Sequence, residues 1–206
     1  MSNPPRRLPV AEFQIREYAL RMAREEVLAL VADGRLSWED LHARLEPGEI
    51  SVLHEMTPSV NWYPVAAYDR LLTTLMDVEG GGSNEYLVER GKRAVESLTA
   101  TGLEPQIEEA RSNRGTVDQW WARVAPALVT MPSAVYSDSN WTLIPGEDCG
   151  RFTIEVTEAS GLPESVRHTV QGVLESLATR LIGAAVHVTS GRPSPDKVVF
   201  RGCLAQ

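Results

Sequence analysis

The sequence has few cysteines and no long apolar run. It contains 2 cysteines in 206 residues, and no stretch approaches the roughly 18 consecutive apolar residues that a membrane-spanning helix needs. The first nine residues also lack the apolar segment of a secretory signal. We therefore predict a cytoplasmic protein without membrane insertion. In that compartment Cys149 and Cys203 are expected to remain thiols, although their spacing alone leaves a disulfide between them open.

The chain has fewer basic than acidic residues. The chain has 20 lysines and arginines against 28 aspartates and glutamates, which gives a formal net charge of -8 and a pI of about 5.1. Such a field repels nucleic acid and anionic membranes. The early pair Arg6 and Arg7 is isolated, and the arginines that follow it alternate with glutamates. We therefore predict that nucleic acid is not a partner.

Recognisable catalytic and metal-binding motifs are missing. The nucleophile pattern G-x-S-x-G and the zinc pattern H-E-x-x-H do not occur. The glycine run at 80–82 is followed by Ser83 without the lysine of a phosphate-binding loop, so it predicts a turn. The histidines are dispersed, at His42, His54, His168 and His187. We therefore predict no catalytic site and no metal site.

The first part of the chain has helical periodicity. Its apolar residues recur at helical spacing in 10–31, in a helix capped by Ser37, in 49–56, after Trp62-Tyr63-Pro64, in 84–99 and in 117–130. Gly91 lies inside one of these helices, where glycine costs about 1 kcal/mol relative to alanine, so we predict that another helix approaches closely there. Pro126 is expected to kink or shorten the last of them.

The last part of the chain has strand periodicity around one long helix. Segments 141–144 and 151–157 predict strands, and 185–189 and 197–200 predict two more. The helix between the two pairs is predicted to have Ser160 as its N-cap and to end at Gly183. The loop 190–196 is too long for a two-residue hairpin turn. We expect a flexible N-terminus at 1–9 and a single domain at 10–206.

Two blocks of sequence carry a resemblance to known proteins. The first joins 34–36, 62–65 and 89–94, and the second joins 162–163, 172–175 and the terminal strand pair. Together they resemble a group of uncharacterised bacterial proteins related to the four-vinyl reductase domain. That domain is akin to the haem nitric-oxide-binding domain and to the small subunits of the transport-protein-particle tethering complex. The resemblance implies an α+β fold with an N-terminal helical layer packed on a four-stranded antiparallel sheet, in the order strand-strand-helix-strand-strand at the C-terminus.

The same resemblance guides the expectation about cofactors. Relatives with a metal or ligand site have cysteines around the last two strands, where this chain has only Cys203. Haem-binding relatives have a proximal histidine upstream of a tyrosine-serine-arginine signature, which this sequence lacks. We therefore expect no cofactor, and in particular no haem.

Five aromatic residues are the candidates for a ligand pocket or an interface. They fall on predicted helices that could face the sheet, and they either fill the core or line an apolar pocket: Trp62, Tyr63, Tyr68, Trp120 and Trp121. Tryptophan is also enriched at the centres of protein interfaces.

These observations favour a non-enzymatic cytoplasmic module with an interaction or sensory role, acting as a homodimer or with another protein partner. The alternative is a binder of a small apolar ligand, lipid-like or tetrapyrrole-like, between helices and sheet. A third possibility is an enzyme whose catalytic groups are assembled across the fold, since such groups need not be close in sequence.

Overall fold

A computed structural model describes residues 13–54, 62–98, 117–146 and 150–205. Segment 1–9 and Cys149 lie outside these ranges, so the flexibility of the first and the free thiol of the second stay predictions. The helices are α1 (Glu17–Ala32), α2 (Trp38–Arg44), α3 (Pro47–His54), α4 (Val65–Glu79), α5 (Asn84–Leu98), α6 (Val117–Val135) and α7 (Glu164–Ile182). The strands are β1 (Gln14–Arg16), β2 (Trp62–Pro64), β3 (Asn140–Pro145), β4 (Phe152–Thr157), β5 (Val186–Ser194) and β6 (Lys197–Leu204).

The predicted α+β fold is confirmed. Strands β3 to β6 form a four-stranded antiparallel sheet in the order β3-β4-β6-β5. Alternate residues of β4 point into the core, and Ile154 lies opposite Phe200 while Val156 lies opposite Val198, all four of them buried. Helix α7 contacts β5 and β6 with its apolar stripe and packs against α5 on another side. The period-2 strands and the period-3.6 helix therefore bury their apolar faces against each other.

Helices α5 and α7 cross at two glycines. A Cβ atom placed on Gly91 would lie 2.0 Å from the carbonyl oxygen of Thr169, and one on Gly172 would lie 1.8 Å from that of Val88. No side chain other than hydrogen fits at either position. The close helix approach predicted from Gly91 is confirmed, and Gly172 is its counterpart on α7.

Two of the three predicted helix ends are confirmed. The Ser37 side chain accepts a hydrogen bond from the Asp40 amide at 3.0 Å, as an N-cap does. Gly183 ends α7 in the left-handed conformation, with φ of 75°. Ser160, in contrast, does not cap α7: it lies in a 3₁₀ turn at Ala159–Gly161, and Pro163 is the N-cap. The extra turn carries the serine hydroxyl away from the first amides of the helix.

The predicted helix 10–31 begins later than expected. Residues Gln14–Arg16 form β1, which pairs with β2 so that Ile15 lies opposite Tyr63, and α1 starts only at Glu17. Trp62 and Tyr63, which the sequence assigned to a helix, are therefore strand residues. Ile15 is completely buried in this extended conformation, so burial through long-range pairing overrides the local helical pattern.

Two further boundaries differ from the prediction. Helix α6 continues to Val135 with Pro126 and Pro132 inside it, so Pro126 does not shorten it. Its buried face, with Val124 and Leu128 fully buried, spans the proline. Strand β5 extends to Ser194 through an irregularity after Gly191. The hairpin therefore closes over two residues, and the predicted long loop is wrong because it is paired strand.

Candidate functional site

A small cavity lies between α1, α4, α5, α7 and the C-terminal end of α6. Its volume is about 60 Å³. Most of its lining is apolar, and five lining residues carry polar groups: Tyr18, Tyr68, Arg90, Tyr136 and Thr169. The Thr169 hydroxyl donates to the Ser165 carbonyl oxygen at 3.0 Å within its own helix. The polar groups left to act on a ligand are therefore the guanidinium and the three phenols.

Arg90 is a charged residue in the interior. It is 4% exposed, and its Nε and Nη2 donate to the two carboxylate oxygens of Glu26 at 2.8 and 2.9 Å. Its Nη1 lies 3.4 Å from the Tyr68 hydroxyl. Burial lowers the pKa of Arg90, but Tyr68 and Glu26 outweigh burial and raise it above its ordinary value. The cavity therefore holds a permanent guanidinium whose charge Glu26 balances.

The hydroxyls of two cavity phenols have no partner among the described residues. No hydrogen bond to the hydroxyl of Tyr18 or Tyr136 is present in the described parts of the chain. Tyr136 is only 6% exposed, its ring stacks between Phe13 and Trp141, and it lines the cavity. Burial raises the pKa of Tyr136 well above its usual value, and burial likewise raises the pKa of Tyr18. Both therefore remain neutral hydroxyl groups at physiological pH.

Local sequence explains why Arg90 enters the interior. It lies on the apolar side of α5, three residues after the fully buried Leu87 and four before Ala94, another lining residue. The adjacent Gly91 lets α7 come close, which brings Thr169, Val170 and Val173 to the same cavity. The signal that sequence reasoning missed is a charged residue on the apolar face of an amphipathic helix.

The structure separates the five aromatic candidates. Tyr68 lines the cavity. The Arg16 guanidinium carbon lies 4.0 Å from the centre of the Trp62 ring. Tyr63 is buried in β2. Trp121 packs edge-on against Phe152 with ring centres 6.1 Å apart, and the Trp120 side chain lies outside the described part. Their assignment to a pocket or an interface stays a prediction.

The four histidines are also placed. Exposed Trp38 stacks on His54 with ring centres 5.3 Å apart, and His42 lies 5.7 Å from His54. The nearby Glu46 and Glu49 are paired with Arg70 instead. Within the described ranges, no three side chains of the metal-binding types come together. His187 is exposed on β5 and places its Nδ1 3.2 Å from Glu175.

His168 makes stability depend on pH. Burial lowers its pKa below the ordinary 6.5, and Arg167, whose Nη2 lies 3.0 Å from the His168 Nε2, lowers it further. Because the unfolded chain binds the proton more readily, stability is fully present above pH about 6.5 and falls as the pH drops towards the lowered value. We expect His168→Gln to flatten this fall in urea-unfolding measurements between about pH 7 and pH 5. An unchanged pH slope in the variant would show that His168 is not its source.

This chain is similar to known proteins in structure but not detectably in sequence. No protein-family model matches the sequence, and no curated protein matches it. A mutant H-NOX protein from T. tengcongensis superposes with a TM-score of 0.52 at 11% identity, covering 92% of this chain and 94% of that one. A structure from work on haem distortion in the H-NOX family gives 0.51 at 12% identity, covering 91% and 92%. A third, from work on haem redox potential and porphyrin distortion, gives 0.50 with the same identity and coverage.

These neighbours correct the expectation about haem. Haem was set aside because a signature was missing, whereas structures that share this fold are described by the haem they hold. The described cavity lining contains no histidine or cysteine, and burial raises the pKa values of Tyr18 and Tyr136, so these two phenols stay protonated. Its volume of about 60 Å³ is also far below the roughly 300 Å³ at which pockets for larger ligands begin. The described lining of this cavity, as placed, therefore neither encloses a haem nor offers its iron a histidine or cysteine ligand.

None of the described helices is long and apolar enough to cross a membrane. Together, the sheet order, the helical layer and the superpositions show that this chain has the H-NOX fold.

Proposed function

We propose that this chain is a non-enzymatic sensory domain that binds a small ligand in the cavity between α1, α4, α5, α6 and α7. The observation that carries the proposal is the apolar cavity that the buried Arg90 guanidinium lines together with Tyr18 and Tyr136, whose hydroxyls no described residue hydrogen-bonds. A ligand that enters the cavity can hydrogen-bond these groups, and each such bond contributes about 0.5–1.5 kcal/mol.

Helix α7 supplies a route from the cavity to the sheet. Thr169, Val170 and Val173 line the cavity. Two residues after Val173, buried Glu175 accepts a hydrogen bond from the Val188 amide of β5 at 2.8 Å, and its other oxygen accepts from Lys92 of α5 at 2.6 Å. A ligand that moves α7 therefore also acts on the edge of the sheet. In this proposal a second copy or another protein contacts the sheet edge and thereby responds to ligand binding in the cavity.

The proposal has three further parts: the protein is cytoplasmic, it acts as a homodimer or with a protein partner, and it is related to the bacterial group that resembles the four-vinyl reductase domain. The α+β order and the H-NOX fold support the kinship. The excess of acidic side chains supports a partner other than nucleic acid.

A tetrapyrrole is the second candidate ligand. The observation in its favour is that structural neighbours are described by their haem. A tetrapyrrole would have to widen the cavity, because about 60 Å³ is less than such a molecule needs.

Native mass spectrometry of protein purified from its own host tests the proposal, because one spectrum reports bound small molecules and stoichiometry. We expect a retained nonprotein mass. Ala94→Leu, which adds a side chain into the cavity lining, should abolish its retention, whereas Glu89→Leu on the exposed side of α5 should not. Titration with haemin, followed by its visible absorption, separates the two ligand candidates. A protein that retains nothing and responds to no ligand would refute the sensory proposal.

A further inference from the structure

We propose that the ligand presents an uncharged hydrogen-bond acceptor, such as a carbonyl oxygen, to the hydroxyl of Tyr136, the hydroxyl of Tyr18 and the guanidinium of Arg90. This inference rests on the proposed function and specifies the ligand chemistry of the same cavity.

The cavity offers donors whose capacity is not used. A guanidinium has five N–H groups, and those of Arg90 make two bonds to Glu26 and one to Tyr68. The Tyr136 hydroxyl, on a side chain more than nine-tenths buried, is engaged by no described residue. The Tyr18 hydroxyl is also engaged by no described residue, although its side chain is only half-buried. The three groups line one cavity, and the guanidinium, which can only donate, favours an acceptor on the ligand to which the hydroxyls can donate as well.

The charge balance around these donors excludes an ionised ligand. The charge of Arg90 is already matched by the two-pronged contact with Glu26, and the raised pKa values of Tyr18 and Tyr136 keep those two phenols neutral. A ligand carboxylate would add an uncompensated negative charge beside Glu26, and a ligand cation would face Arg90. Burying either without a partner is costly. A neutral acceptor meets the donors without that penalty.

The size of the cavity limits the group that enters it. A water molecule needs about 10–15 Å³ of cavity on the same measure, so about 60 Å³ holds a group of a few non-hydrogen atoms. Around that group the lining is apolar, with Ala94, Val170 and Val173 among its members. The cavity therefore selects a compact apolar group with one acceptor.

Three probes of the same planar shape separate the alternatives. Acetone has a neutral acceptor, acetate has charged acceptors, and isobutene has none, and each contains four non-hydrogen atoms. Binding to the full chain is followed by chemical-shift titration of its amide signals. We expect acetone to bind at least tenfold more tightly than either acetate or isobutene. Tyr136→Phe should weaken acetone binding about tenfold, the equivalent of one hydrogen bond of about 1.4 kcal/mol, and leave isobutene binding unchanged.

Tyr86→Phe is the matched control. Tyr86 is on α5, the helix that carries Arg90, and its hydroxyl donates to Glu79 at 2.6 Å at the surface, so acetone binding should not change. If Tyr136→Phe does not fold, Tyr18→Phe tests the same step with the same expected direction.

Each other outcome overturns the inference in a distinct way. Tighter binding of acetate refutes the neutral acceptor but leaves the sensory proposal standing. Equal binding of isobutene and acetone refutes any role for the hydroxyls. Binding of haemin with none of the three probes also refutes the inference while supporting a sensory ligand. Failure of all probes, haemin included, refutes both proposals.

Discussion

Gly172→Ala is expected to destabilise the protein by about 3 kcal/mol or more, at the upper end of what overpacking costs. The added Cβ would lie 1.8 Å from the carbonyl oxygen of Val88. Since that oxygen belongs to the backbone, no rotamer change relieves the clash, and α5 and α7 must separate. The intrinsic helix preference of alanine, about 1 kcal/mol over glycine, opposes the effect but is smaller. Urea unfolding gives the change in the free energy of unfolding.

Gly48 provides the matched control for this prediction. It lies in α3, and a Cβ there would meet nothing within 4 Å. We expect Gly48→Ala to leave stability unchanged or raise it by up to about 1 kcal/mol. Equal effects at the two glycines would show that the helix crossing is looser than described. Because α7 lines the cavity, Gly172→Ala should also weaken binding of any cavity ligand.

Glu26→Ala is expected to cost about 3–5 kcal/mol, and Arg90→Met is expected to cost less. The two side chains form one ion pair, but the Arg90 side chain is 5% exposed and that of Glu26 is 38% exposed. Removing Glu26 leaves a buried, uncompensated guanidinium, which is the costly case. Removing Arg90 leaves a carboxylate that water can reach, and methionine fills much of the vacated volume. The double variant should recover part of the loss caused by Glu26→Ala.

Urea unfolding of the two single variants and the double variant measures this asymmetry as a double-mutant cycle. Glu25→Ala, next to Glu26 on α1, is the control, because its pair with Arg21 is solvent-exposed and such pairs contribute about 1 kcal/mol or less. If Arg90→Met proves more destabilising than Glu26→Ala, desolvation of the guanidinium is not the dominant cost.

The candidate site shows how far sequence reasoning reached. Tyr68 was identified as a pocket candidate because it is an aromatic residue on a predicted helix that could face the sheet. Arg90 and Tyr136 were not identified, since the sequence does not show which buried face contains a gap. A cavity forms where side chains from several helices fail to fill space. That depends on the angles and separations of those helices, which local patterns do not specify.

The sequence by itself determined the elements whose signals are local. Helical spacing with a terminal Gly183 specified α7, the alternation in β4 specified a half-buried strand, and Gly91 specified a close crossing. Only the tertiary structure decided the partners. It made an extended strand of Ile15 by pairing it with Tyr63, and it placed the Arg90 guanidinium against Glu26 at a cavity that Tyr18 and Tyr136 also line. The physical reason is that periodicity records which face of an element is buried, whereas long-range packing decides what that face meets.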